Sequence, residues 1–197
     1  MRALLLSLLL LLSACAQPLI VVPQPNRADN EARMLGAVQR LGQPGDWLVI
    51  RGYHATDHAV SLATNSPFSH VALLDPERWQ VIEAEGRGVH TTELANFTPK
   101  AQRLLLLRPQ WASTPERQQA AVEQARRLMG RPYDFLGLVG LNVSDAYYCS
   151  ELAVAVYAPH ASRQDYLPPI IAPGQMLNWG TVIWDSGPTA RPSQPGL

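Results

Sequence analysis

The chain is short of several residue types, and each shortage removes a class of function. It has two cysteines, Cys15 and Cys149, too few for a cysteine-rich zinc site. Its 16 basic residues balance 16 acidic ones, so no net field favours nucleic acid as a partner. Lysine occurs once, at Lys100, which we read as compositional bias. The leucine-rich N-terminal run is too short and too weakly flanked to be a transmembrane span. No internal repeat stands out.

What that run does contain is a secretory signal. "MRALLLSLLLLLSACAQP" has one arginine, a leucine-rich stretch and then small residues. It ends in "LSAC", Leu12 to Cys15, which resembles the bacterial lipobox, whose cysteine becomes the first mature residue and carries lipid. Ala16 in place of an aspartate implies the outer membrane, on its periplasmic face. An ordinary signal cleaved near "ACA" is the alternative. With Cys15 lipidated, Cys149 has no intramolecular partner in a compartment that favours disulfides. It is then a free thiol, either buried and inert or retained for its reactivity.

The segments divide as follows. Residues 1–14 form the signal, 15–28 the lipidated cysteine and a Pro-rich tether, 29–185 one domain, and 186–197 a loose tail. "DNEARMLGAVQRLG" from Asp29 reads as a short amphipathic helix stopped by Gly42. "QPGDWLVIRG" is a turn and a strand, and "HATDHAVSLATNSP" is helical as far as Asn65. "SHVALLD", "QVIEAE" and "RLLLLRP" read as strands, with "GVHTTE" a weaker one. "TPERQQAAVEQARRLMG" is the clearest helix, capped by Thr114, opened by Pro115 and closed at Gly130. The segment around Cys149 is another helix, and "TVIWD" a late strand. Strands in the middle with helices on both flanks predict an α+β fold with a small antiparallel sheet.

In "DAYYCSELAVAVYAP", Leu152, Ala153, Val156 and Tyr157 follow Cys149 at helical spacing, so the thiol lies on the core-facing stripe. Ser144 and Asp145 offer a cap. A start nearer Tyr148 would put Cys149 among the free N–H groups of the first turn, where a thiolate is favoured below the free value of about 8.5. A thiol nucleophile needs a base, and the base an orienting partner. His90 and His160 sit in weak, polar contexts. His54 and His58 lie four apart with Asp57 between them, which a solvated helix face explains better than a metal site. His70 differs, because it interrupts a run built for a buried strand and so needs a partner for its ring.

The next strand supplies one. With Pro76 and Glu77 as a two-residue loop, Asp75 opposes Arg78 and His70 opposes Glu83, with Cβ atoms about 5 Å apart. Pro76 disfavours such a loop. A four-residue loop would set His70 against Glu85 and leave Glu83 diagonal on the same face, while an odd shift would break the pairing.

Taken in order, Gly45-Asp46, "SHVAL", "VIEA" with a following "GV", and "YD" with a following "YCSEL" resemble the permuted papain-like cysteine peptidases of the NlpC superfamily, YiiX/YaeF-like group. Lecithin:retinol acyltransferase is a more distant relative. The resemblance runs from about Gly45 to the "APGQM" turn at Ala172. It implies a circularly permuted papain-like fold, with Cys149 as nucleophile, His70 as base and Glu83 as orienting residue. "GRPYD" is similar to the G-x-P-Y that precedes the nucleophile in NlpC-type enzymes, implying Tyr133 as oxyanion donor. Glu85 competes with Glu83, and Tyr148 with Tyr133.

The expected activity is therefore thiol acyl transfer, an amidase or peptidase in the bacterial envelope acting on cell-wall peptides, with neither metal nor organic cofactor. A lipid acyl hydrolase or acyltransferase is the alternative, and a non-catalytic binding lipoprotein the rival from another class. "LGLVGLNV", Leu136 to Val143, could line an acyl site, although a packed core or loop segment is the preferred expectation.

Overall fold

The computed structural model describes residues 27–141, 143–162 and 165–187. The expected signal, Cys15 and most of the tether lie outside these residues, as does the expected tail from residue 188. The elements are α1 (Arg27–Leu41), β1 (Trp47–Gly52), α2 (Ala55–Ala63), β2 (His70–Asp75), β3 (Gln80–Glu85), β4 (Gly88–Glu93), α3 (Leu94–Phe97), β5 (Ala101–Pro109), α4 (Pro115–Arg127), α5 (Cys149–Ala155) and β6 (Gly180–Asp185). The six strands form one antiparallel sheet in the order β4-β3-β2-β1-β5-β6. Ser186 ends it, buried, with its N–H donating to Leu104 O and its hydroxyl accepting from Leu104 N.

Both faces of the sheet are covered, which explains strands such as "LLLL" in β5 that are apolar without alternation. Met34 and Val38 of α1 pack with Leu48, Ile50, Ala72, Leu74, Leu104 and Phe97 on one face. On the other, Ala121, Val122 and Ala125 of α4 and Leu152 and Ala153 of α5 pack with Val49, Val71, Leu73 and Ile82. Trp47 fixes α5 to this face, its indole donating to Ala153 O at 3.0 Å. Gly45-Asp46 has a structural use. Gly45 has φ +80°, and a Cβ there would lie 2.2 Å from the Tyr157 hydroxyl, which donates to Gly45 O. Asp46 is fully buried and paired with Arg108 at 2.9 Å.

Two expectations need correction. The β2–β3 loop has four residues, with Asp75 opposite Gln80 and Ala72 opposite Glu83. The two-residue register with His70 opposite Glu83 is therefore off by two, because Pro76 cannot take the left-handed conformation such a loop needs; Trp79 supplies positive φ instead. Nor is the segment from Leu136 to Val143 core or a packed loop, since Leu136, Leu138, Val139, Leu141 and Val143 are all exposed.

Candidate active site

Four pieces of chain converge at one end of the sheet. β2 begins at His70, the next two strands toward that edge of the sheet, β3 and β4, bring Glu83 and His90, and α5 begins at Cys149. The register puts His70 and Glu83 on the face of Ala72, whereas α5 packs behind Val71 and Leu73. Thiol and imidazole meet because each opens its element. Tyr148 is the extended residue before α5, its N–H accepted by Glu151 at 3.3 Å. The helix starts there and not at Ser144, so Cys149 occupies its first position.

Glu83 is the electrostatic centre. Its carboxylate is fully buried, and Oε2 accepts from His70 Nε2 at 2.7 Å. Oε1 accepts from the Thr92 hydroxyl at 2.5 Å and Lys100 Nζ at 3.1 Å, with His90 Nε2 at 3.5 Å. Burial opposes the charge, but the hydrogen bonds from His70 and Thr92, with the imidazole of His90 close by, outweigh it and hold the carboxyl far below the usual range. Glu83 is therefore an anion that fixes His70 by Nε2–H and leaves Nδ1 for the thiol. Glu85 is half-exposed and paired with Lys100 at 3.0 Å; of the two glutamates, Glu83 is the one bonded to His70.

Cys149 is 7% exposed. Burial pushes its thiol up, while the hydrogen bond and charge of His70 and the backbone N–H groups of Val71 and Ser150 pull it down, with a net fall. For His70, burial disfavours the cation, but bonds to Cys149 and Glu83 leave it well above its ordinary value. Each raises the charge of the other. The arrangement favours a thiolate–imidazolium pair backed by a carboxylate, a set of groups able to attack a carbonyl and protonate a leaving group.

Tyr133 and Tyr148 both line the cleft with Cys149. The Tyr148 hydroxyl accepts from Ile171 N at 2.9 Å, which ties it to the segment that also receives the Ser150 hydroxyl through Ile171 O. The Tyr133 hydroxyl has no hydrogen-bond partner among the described residues. Burial and the negative charge of Cys149 push its phenol upward, so it stays protonated and can donate. The cleft holds about 470 Å³, with Phe135, Leu138 and Ile170 on an apolar wall and Lys100, Glu85 and His54 at polar positions.

Three residues around Glu83 escaped sequence reasoning: Thr92, Lys100 and His90. A readable signal existed for His90. The two-residue turn Gly86-Arg87 fixes Glu85 opposite Gly88 and therefore Glu83 opposite His90. Asp57 and His58 are used elsewhere. Asp57 accepts from the Ser69 hydroxyl at 2.7 Å and the His54 N–H at 2.9 Å, and His58 Nδ1 faces Arg51 at 2.7 Å.

The chain matches the model of the permuted papain-like amidase family, YaeF/YiiX, C92, over residues 42–180. It is also similar to the crystal structure of the metalloprotein YiiX from Escherichia coli O157:H7, with 29% identity and a TM-score of 0.52 over 61% of this chain and 67% of that one. No curated protein matches it. His70, Glu83 and Glu85 offer one donor atom each within 4.8 Å of one another. They do not fit a resident metal ion here, because the Lys100 ammonium already bonds both carboxylates and His70 Nε2 is taken by Glu83. A divalent ion would have to displace the ammonium and strip His70 of its partner. With the family model spanning β1 to β5 and the cysteine helix, the chain belongs to the permuted papain-like amidases and is an enzyme of the cysteine amidase or peptidase type.

Proposed function

We propose that this enzyme cleaves amide bonds in the bacterial envelope through a thioester on Cys149, with cell-wall peptides as substrates. A lipid on Cys15 anchors it to the outer membrane on the periplasmic side. The observation that carries the chemistry is the 2.7 Å contact between His70 Nε2 and buried Glu83, which leaves Nδ1 for Cys149. The Cys149 thiolate attacks the carbonyl carbon, and the oxyanion takes hydrogen bonds from the Cys149 N–H and the Tyr133 hydroxyl. As the C–N bond breaks, His70 gives its proton to the departing amine. Neutral His70 then takes a proton from water, whose oxygen attacks the thioester; the C–S bond breaks and the acid leaves. Glu83 stays ionised throughout and stabilises the imidazolium whenever it forms.

The polar positions of the cleft, Lys100 and Glu85, suit the charged ends of short peptides, whereas its apolar wall supports a second reading, a lipid acyl hydrolase or acyltransferase. Labelled muropeptides and labelled phospholipids, each offered to the enzyme and to Cys149→Ala, separate the two. Amine release from muropeptides that vanishes with Cys149→Ala supports the first reading. Cys149-dependent product from phospholipid alone replaces it with the second. Palmitate labelling abolished by Cys15→Ala tests the anchor, and unlabelled wild-type chain would remove that part of the proposal.

A further inference from the structure

The loop after Tyr133 has an unusual surface. From Phe135 to Val143 it carries no charged residue. Phe135 is 63% exposed, Val139 68% and Leu141 63%, with Leu136, Leu138 and Val143 also in solvent. A contiguous exposed patch of this kind marks an interaction site.

The exposure is built in. Asp134 is buried, and its two carboxylate oxygens accept from Gly137 N at 2.7 Å and Val143 N at 2.9 Å. Leu136 O accepts from both Val139 N and Leu141 N at 3.0 Å, and Gly140 turns the chain at φ +82°. A Cβ at Gly137 would lie 2.5 Å from Asp134 Oδ2. The loop's ends are joined by Tyr147 N to Pro132 O at 3.0 Å. Hydrogen bonds within the loop thus hold its apolar side chains outward, where they cannot collapse onto the core.

We infer that this loop is a membrane-docking element that seats the mouth of the cleft on a phospholipid bilayer. The inference builds on the anchored-enzyme reading above. Two observations select the occupant. First, the loop is uncharged and mainly aliphatic, which suits lipid; protein hot spots favour Trp, Tyr and Arg. Second, the chain enters on the same side. Arg27 donates to Pro99 O at 2.8 Å and lies 4.5 Å over the Tyr53 ring, and the next residues, Lys100 and His54, line the cleft with Phe135 and Leu138. From Cys15 to Arg27 about a dozen residues span at most roughly 40 Å. A lipid on Cys15 therefore limits the chain's entry point, on the side of the cleft, to within roughly 40 Å of the bilayer.

The test uses the full chain carrying Leu138→Trp, reconstituted into phosphatidylethanolamine–phosphatidylglycerol vesicles with brominated acyl chains. The emission added over wild type should fall to about half or less relative to unbrominated vesicles. Adding Val139→Asp and Leu141→Asp, neither of which lines the cleft, should abolish that quenching. Relative to Leu138→Trp alone, the added aspartates should leave the alkylation rate of Cys149 within about twofold, which certifies the fold and its thiol. Unquenched Leu138→Trp emission overturns the inference. So does lack of quenching accompanied by concentration-dependent pairing of the chain, which would make the patch an interface between copies. A wild-type thiol indifferent to iodoacetamide would sink the hydrolase mechanism instead, with the quenching result still deciding the docking.

Discussion

Replacing Glu83 with glutamine keeps the shape of a fully buried side chain and removes its charge. The carboxylate faces donors on both oxygens: His70 at one, Thr92 and Lys100 at the other. A glutamine must turn its NH₂ toward one of these sides, so at least one donor loses its acceptor. A hydrogen bond to a charged group contributes about 1.5–3 kcal/mol, which corresponds to a fall of roughly 1–2 units in the pKa of His70. Because the depression of Cys149 depends on the charge of His70, its thiol moves up. The assay is the pH profile of iodoacetamide alkylation in a form carrying Cys15→Ala, so that Cys149 is its single thiol. The wild-type acidic limb should lie well below the free-thiol value of about 8.5. In Glu83→Gln that limb should shift upward by about one unit, and amide turnover should fall at least tenfold. A folded Glu83→Gln protein with an unmoved limb would refute the reasoning, because His70 would then hold its proton without the carboxylate.

Further outcomes follow from the same geometry. Tyr133→Phe should lower kcat about 10²-fold with KM and the alkylation profile unchanged, because its neutral hydroxyl donates a hydrogen bond to the reacting centre only once the oxyanion of the tetrahedral intermediate has formed; an altered alkylation profile would put its effect on the resting thiol. Tyr148→Phe removes an acceptor from Ile171 N, so thermal unfolding should reveal a loss of about 1–3 kcal/mol. Glu83 is depressed in the folded state, so its stabilisation is complete above the unfolded carboxyl value of about 4.3 and drains away as pH falls below it. Denaturant titrations from pH 6 to pH 3 should therefore show wild type losing stability more steeply than Glu83→Gln. Gly45→Ala sets a methyl against the Tyr157 hydroxyl at positive φ, and a drop in Tm with near-normal alkylation of the surviving folded fraction is expected.

Sequence reading reached Cys149, His70 and Glu83, and the structure brings these three together. The elements that carry them were legible because His70 interrupts a strand pattern and Cys149 opens a helical one. The hairpin register was legible only in parity. His70 and Glu83 share a face in either even register, so the pairing survived a two-residue error that Pro76 caused. What sequence could not supply was the choice between Glu83 and Glu85. Both sit on the same face, and the choice depends on burial and on Lys100, which arrives from the turn just before β5. His90 is hard to place because "GVHTTE" gives a weak strand signal, although the tight turn before it fixes its partner. The loop from Leu136 departs from its sequence pattern for another reason. Apolar composition normally means burial, and here hydrogen bonds to Asp134 override it.

The solitary lysine has a chemical consequence. A thioester beside a free amine is an invitation to self-modification, since amines outcompete water for such acyl groups, and Lys100 lines the cleft that holds Cys149. Burial would favour a neutral amine, but the charges of Glu83 and Glu85 and the hydrogen bonds to them raise its pKa above the ordinary value. Clamped as an ammonium, it has no lone pair with which to intercept the acyl-enzyme. Elsewhere the basic side chains are arginines, which are poorer nucleophiles still. In the proposed mechanism the chain turns over a reactive thioester while offering it no side-chain amine to acylate, and intact-mass analysis after many turnovers should find Lys100 unmodified.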